Sequence, residues 1–508
     1  MVKKNNALWY PPMNSYQSYS DCLNNLNPDE VFEGLLGYGL FSQSIVPIFH
    51  SEEFLDYCLK TKPIFSKKTD DYIRYESMRN TNMVRILGIP TPFTYYNLCV
   101  HIRENWTDIL KHFTKMTAGQ QHKISRLHIR KQFNTKVLFS MNYQSWWADE
   151  TPSTDLSIGA RYKVHADIST CFPSIYTHCI TWAIKTKKVA KTEKQNKDWV
   201  NTLDKLTGNT TNQETHGLLI GPHASNLLSE LILTRIDQEL YAKNFSFIRH
   251  IDDYTCFVES YERGEEFIMR LRRALKEYGL SLNDKKTSFE TLPIAEEKNW
   301  KNRLGYEEPQ PLNGIINYRQ LQRFLDLTTN LLYQNDDNLS VLKYSMKMVS
   351  GFPLNNGATI LAQKYFLQMA AIYPYLIPEL EQYVFKDLKT DPKIIEDWAN
   401  EFYEELLNRS CYEAVSYLLY YSLIYKFNIK SVTVDHIVDT PDCIFKTIGA
   451  LYFKKYKPGE FGIIHQEAVN LSDDTQYWLF WYTVLSSTEL KGDWVRIKKK
   501  GIEFVHKI

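Results

Sequence analysis

Apolar residues recur along this chain with two periods, and the change from one to the other divides it. Through Tyr162-Lys163-Val164-His165-Ala166-Asp167 they alternate with polar residues, the period of a half-buried strand, until Phe172-Pro173 stops the run and an apolar helical pattern resumes. Phe247 to Val258 is a stretch of strand-forming residues interrupted by Asp252-Asp253. Between them, Gly217-Leu218-Leu219-Ile220-Gly221-Pro222 reads as a loop, followed by an amphipathic run from Leu227 to Leu240 with Ser225 or Asn226 as its N-cap. From Tyr318 the period is helical almost to the end. Helices are predicted over Tyr318–Tyr333, Ala358–Tyr373, Lys393–Leu407, Tyr412–Phe427 and Cys443–Tyr456, with breaks at Gly351, Pro374, Pro378, Pro441 and Pro458. These lengths suit antiparallel helix pairs stacked as a solenoid and suit an ordinary bundle equally, since no motif recurs at a fixed period. Strands first and helices afterwards make the expected fold class α+β.

Two neighbouring carboxylates in an apolar run repel one another and push each other's pKa upward unless a cation lies between them. A divalent metal is the simplest remedy, and a solvated Asp-Asp turn at a hairpin tip is the plain alternative. Asp167 shifts the balance. It ends an alternating strand ahead of a turn and a helix, so a third carboxylate is available at a strand end.

Taken together, these residues resemble the palm of reverse transcriptases. Asp167 with Phe172-Pro173-Ser174-Ile175-Tyr176 is similar to that family's first catalytic motif, and Ile251-Asp252-Asp253 to its paired-aspartate motif. Gly221-Pro222 through Ser225-Asn226 resembles the loop and helix beneath the nascent base pair. Gly279-Leu280, Asn283 and Lys286-Thr287 match the motif that follows, and Arg85 to Phe93 resembles an early fingers motif. The likeness covers residues 70 to 300. It implies reverse-transcriptase-like fingers and palm (antiparallel sheet with helices) at 71–300, after an N-terminal extension at 1–70. A connection at 301–317 and an all-α, HEAT-like helical-repeat domain at 318–508 are expected to complete the chain.

The chemistry implied is phosphoryl transfer from deoxynucleotides (dNTP substrates) with two Mg²⁺ ions about 3.5–4 Å apart. Hard Mg²⁺ is held by a few carboxylates plus substrate phosphates. The resemblance therefore makes Asp167, Asp252 and Asp253 catalytic, with Asp167, Asp252 and Ile168 at the metal. Asp253 is expected to be the weaker ligand, because neighbours on a strand point to opposite faces. Phe172 stands where the family has a bulky side chain beneath the sugar, which would exclude a 2′-hydroxyl; ordinary core is its other reading. Gly221 and Ser225 fall to the nucleotide by the same likeness. Lys123, Arg126 and Arg130 precede the palm where family members grip phosphates, and Arg126 or Arg130 is the expected contact. Lys286 is the candidate acid for leaving pyrophosphate, with Lys285 as competitor.

Charge and composition refine the picture. Lys+Arg 60 against Asp+Glu 59 leaves a formal charge of +1 over 508 residues, whereas proteins tracking a long duplex usually carry a basic channel. Lysines are clustered only locally, at Lys185 to Lys188 and Lys191 to Lys197. Eight cysteines without a Cys-x-x-Cys pair indicate neither a disulfide framework nor a zinc site. With no signal core and no long apolar span, a cytoplasmic protein with no membrane partner is expected.

A palm followed by a long tyrosine-rich helical region resembles the bacterial abortive-infection reverse transcriptases, which defend cells against phage. Ile220-Gly221-Pro222, where many templated enzymes carry Gln-Gly, and His250, where many carry Tyr or Phe, point the same way. For that group the resemblance implies untemplated DNA synthesis primed from a tyrosine of the protein, a covalently attached single-stranded DNA product, a homo-oligomer and a phage-encoded trigger. Thirty-four tyrosines leave the primer unassigned; Tyr10, Tyr16 and Tyr19 lie in a segment expected to be mobile. Two alternatives stay open: an RNA-templated, retron-like enzyme with a structured RNA partner, and a non-catalytic polymerase-fold scaffold that binds a phage protein. The intact carboxylates argue against the scaffold.

Overall fold

The computed structural model describes residues 19–80, 83–126, 128–129, 136–140, 152–193, 197–295, 298–335 and 338–507. They fall into two compact units, one within 1–42, 51–72 and 88–294, the other within 43–50, 73–87 and 295–508. Tyr10, Tyr16 and Arg130 lie outside the described residues.

The first unit is organised around an antiparallel sheet of β1 (Tyr162–Asp167), β2 (Ser246–His250), β3 (Asp253–Val258) and β4 (Ser288–Thr291), in the order β2-β3-β1-β4. Register explains the alternation read from the sequence. Val164 pairs with Cys256 and Ala166 with Tyr254, and all four are buried on one face of the sheet. Helix α4 (Tyr261–Glu277) covers that face, and it approaches so closely that a Cβ on Gly264 would meet Phe289 at 2.5 Å and Val164 at 3.0 Å. The opposite face carries Lys163, His165 and Asp167. Between β2 and β3 the chain turns at Ile251-Asp252, so Phe247–Val258 is a hairpin with its acids at the tip.

Preceding the hairpin, α3 (His223–Tyr241) is buried along almost its whole length, including Ser229, Glu230 and Asp237. The expected N-cap at Ser225 or Asn226 is corrected: Pro222 caps the helix, and Ser225 and Asn226 lie buried inside its first turn. Proline's fixed φ suits an entry to a helix, and Ser225 donates its N–H to the Pro222 carbonyl at 3.1 Å. Earlier come α1 (Cys171–Ser174) and α2 (Cys179–Lys185), as the Phe172-Pro173 break suggested.

In the second unit the helical period is realised as α5 (Tyr318–Gln334), α6 (Asn356–Ile372), α7 (Pro392–Asn408), α8 (Tyr412–Tyr425) and α9 (Cys443–Tyr456). Four of these starts are set by side-chain caps: Asn317 with Gln320 closes a capping box before α5, and Asn355, Asp391 and Asp442 cap α6, α7 and α9. Residues 301–317, expected as irregular connection, are partly helical, because Asn299–Tyr306 buries Trp300 and Leu304. Among the described residues no helix is long and apolar enough to cross a membrane.

Two buried carboxyls brace this unit. Glu413, at the start of α8, accepts the Met78 N–H at 2.6 Å and the hydroxyls of Ser77 and Tyr75 at 3.0 and 3.3 Å, which ties the strand Ile73–Asn80 to α8. Asp442 accepts the Phe445 N–H at 2.7 Å. Burial pushes each carboxyl up to about 7 despite these donors. Folded chains therefore bind these protons more tightly than unfolded ones. Their stabilising effect is complete below the ordinary carboxylate range and is lost as pH rises to about 7. Asp442→Asn keeps a cap acceptor for Phe445 and removes the titration. It should flatten the decline of melting temperature between about pH 4 and pH 7 and raise it at pH 8 by about 2–4 °C, the effect of ~1 kcal/mol in a domain this size. An unchanged pH profile in a thermal melt would assign the slope to other groups.

Candidate active site

Antiparallel register brings Asp167, at the end of β1, directly opposite Asp253, at the start of β3. Asp252 is joined to the same strand end through the backbone, its carbonyl accepting the Ile168 N–H at 3.0 Å. Three carboxylates thus share one end of the sheet although 85 residues separate Asp167 from Asp252 (252 − 167). Asp167 is only 6% exposed, and its two oxygens are engaged separately. Asn283 donates its Nδ2 to Oδ2 at 3.0 Å and Lys286 its Nζ to Oδ1 at 3.2 Å. The Asn283 N–H also donates to the Asp167 carbonyl at 2.8 Å, fixing the short 3₁₀ turn Asp284–Lys286 beside the strand end.

The carboxyls show how unwelcome so much negative charge is. Asp253 is pushed up to about 7, first by loss of water around its carboxyl, then by its hydrogen bond to Asp167 and the charges of Asp252 and Asp167; Lys286 works the other way. A proton held on Asp253 answers the same repulsion that a cation would. Hard carboxylate oxygens on Asp167 and Asp253, with the charge of Asp252 close by and too little positive charge to balance them, are the donor type that suits a divalent ion such as Mg²⁺. Alternation along a strand would have turned Asp253 away from Asp252's partner. Here Asp252 belongs to the turn, and Asp253 is the residue that faces Asp167 across the ladder.

Beside this strand end, Phe172 is half-buried in α1, and its carbonyl accepts the Leu218 N–H at 2.9 Å. The loop of residues 217–222 is therefore stitched to the segment that follows Asp167. Gly221 sits there at φ +125°, a conformation open chiefly to glycine, with Ser225 one turn into α3. Ile168 is buried. Of the two neighbouring lysines, Lys286 is the one that lies on Asp167.

The expected phosphate-gripping cations are placed differently. Arg126 and Lys123 are buried at 4% and 2% exposure, because residues 124–126 run alongside β2, with the Arg126 N–H donated to the Arg249 carbonyl at 2.7 Å. Tyr19, expected to be mobile, is instead 3% exposed and donates its hydroxyl to Glu230 at 2.9 Å. Apolar neighbours such as Phe113 hold its ring, which a sequence window around Tyr19 does not contain.

Residues 106–326 match the family model described as "Reverse transcriptase (RNA-dependent DNA polymerase)". Over this segment the chain is similar to the reverse transcriptase family. The match supports a nucleotide-polymerising enzyme, and the carboxylate-bearing sheet lies inside it. No curated protein matches the chain. Among solved structures, apo telomerase from Candida Tropicalis is similar at 9% identity, over 82% of this chain and 72% of that one, with TM-score 0.34. Its form truncated from the C-terminal domain is similar at 10% identity over 48% of this chain and 56% of that one, with TM-score 0.32. Telomerase from Candida albicans in complex with a TWJ fragment of telomeric RNA gives 11% identity, 80% and 65% coverage and TM-score 0.29.

Asn283 is the site residue that sequence reasoning passed over. It belongs to the motif at residues 279–287, yet only the fold shows that it donates to Asp167 and so orients it. Removing a hydrogen-bonding partner of a metal-binding side chain weakens metal use by about 10–100-fold. Asn283→Ala should raise the Mg²⁺ concentration for half-maximal nucleotide incorporation by about that factor; an unmoved Mg²⁺ curve would deny Asn283 this role.

Proposed function

We propose that this chain is a DNA polymerase of the reverse-transcriptase fold, extending a hydroxyl with deoxynucleotides by two-metal phosphoryl transfer. The observation that carries the reading is the meeting of Asp167, Asp252 and Asp253 at one strand end within the matched domain. Bound divalent cations would supply positive charge where a hydroxyl is deprotonated and a pyrophosphate leaves. Asp167, Asp252 and Asp253 hold them, Asn283 keeps Asp167 turned towards them, and Lys286 stands at 3.2 Å from Asp167 as the cation and proton donor for the leaving group. Phe172, held by the 217–222 loop, closes the space beneath the sugar.

Synthesis without a template, primed from a tyrosine of the chain and acting in abortive-infection defence against phage, is the finer form of this proposal. Near-neutral charge, the Ile220-Gly221-Pro222 loop and the long helical region after the sheet support it, that region being read as HEAT-like. The priming tyrosine is not Tyr19 while that residue stays buried on Glu230.

Purified protein with Mg²⁺ and labelled deoxynucleotides, without template, should retain label that both protease and deoxyribonuclease release, and Asp252→Ala should abolish it. Label appearing only after template RNA is added would replace the untemplated reading; no label under either condition would remove the polymerase reading. Phe172→Ala should reduce discrimination against ribonucleotides by at least about tenfold. Unchanged sugar preference in competition assays would return Phe172 to the core.

A further inference from the structure

We propose that Arg249 is a positioning residue for the metal-holding carboxylates, acting by pinning the carbonyl of Ile251 in the turn that presents Asp252 and Asp253. This inference rests on the reading that those carboxylates bind divalent cations. It concerns what keeps them in place.

Arg249 lies on β2 with its side chain completely buried, as are Glu230 and, within 2%, Asp237 of α3. A guanidinium has five N–H donors in one plane, and here each has an acceptor. Nε donates to Asp237 at 3.0 Å, Nη2 to Asp237 at 2.7 Å and Glu230 at 3.2 Å, and Nη1 to Glu230 at 2.7 Å. The second Nη1 hydrogen leaves the ion cluster and donates to the Ile251 carbonyl at 2.8 Å.

Ile251 is where the turn needs holding. It is β-branched yet sits at φ +57°, in the left-handed region that such residues avoid. Conformations of that kind persist where surrounding contacts over-determine them. Its carbonyl belongs to the peptide that enters Asp252, so the pin acts one bond before the first acid. The other side of the turn is held by the Ile168 N–H on the Asp252 carbonyl.

Nor is Arg249 free to drift. Its own backbone is paired on both sides, its N–H donating to Ile124 at 2.9 Å and its carbonyl accepting from Arg126 at 2.7 Å. The acids that grip it are gripped in turn: Tyr19 and Ser125 donate to Glu230 at 2.9 and 2.8 Å, and Tyr254 donates to Asp237 at 3.1 Å. Lysine has the charge but offers its donors from a single nitrogen, which cannot span two carboxylates and a carbonyl in one plane.

Mn²⁺ binding, followed by the loss of the free-ion EPR signal, tests this without reference to turnover. Arg249→Lys should fold, by circular dichroism, and raise the Mn²⁺ dissociation constant by about 10–100-fold. Adding Ile251→Gly to it should recover part of the loss, since glycine takes the left-handed turn unaided. A protein with only a structural need for Arg249 would show no such recovery. If Arg249→Lys does not fold, E230Q/D237N/R249M removes the buried charges together, leaves none unpaired, and should show the same weakening. Wild-type Mn²⁺ affinity in a folded variant would overturn the role of Arg249 alone. Wild-type protein that binds no Mn²⁺ would overturn the metal-site reading and this inference with it.

Discussion

Like charges opposed across the end of one strand pair are the constraint around which the first unit is arranged. Asp167 and Asp253 face each other in register, with Asp252 in the adjoining turn, and Asp167 is buried while Asp253 stands at the open end of the strand. Each neighbouring group reduces the resulting repulsion in its own way. Lys286 brings a positive charge, Asn283 brings a neutral donor, and Asp253 holds a proton to a pH far above an ordinary carboxylate's. These are makeshift answers to a charge excess that a divalent cation would answer better, which is why an arrangement costly to fold supports the proposed phosphoryl transfer.

Buried acids elsewhere in the molecule make an instructive contrast. Glu413 and Asp442 are also pushed up to about 7, chiefly by burial, and they accept from backbone N–H groups, Glu413 from two hydroxyls as well. They serve as a strap and a helix cap. Glu230 and Asp237 are buried more deeply still, and a shared guanidinium offsets one of their two negative charges. The shifted carboxyl alone therefore does not single out the candidate site; the gathering of three acidic residues at one partly open strand end does.

Much of this was legible in the chain. The five long helices of the second unit begin and end within a few residues of where apolar periodicity and proline breaks put them, because each has an amphipathic or apolar face and four of them a capping side chain close by in sequence. The hairpin around Asp252 was legible for similar local reasons. Less legible was anything set by a remote partner. Tyr19 reads as part of a polar, proline-broken segment and is nevertheless core, since Glu230 and Phe113 are supplied by distant helices. Arg126 reads as a free cation and is buried, since its segment runs beside β2. Residues 301–306 read as linker and are helical, since Trp300 and Leu304 find apolar neighbours.

The amino-acid order by itself determined the kinds of element, their approximate limits and which side chains could do chemistry, because periodicity, capping and residue type act over a few positions. Tertiary structure alone decided that Asp253 rather than Asp252 lies across from Asp167, that Asn283 and Lys286 attend it, and that one buried arginine reaches the turn. Those outcomes depend on strand register and on contacts between segments far apart in the chain, and a shift of one residue in register would send every one of these side chains to the other face of the sheet.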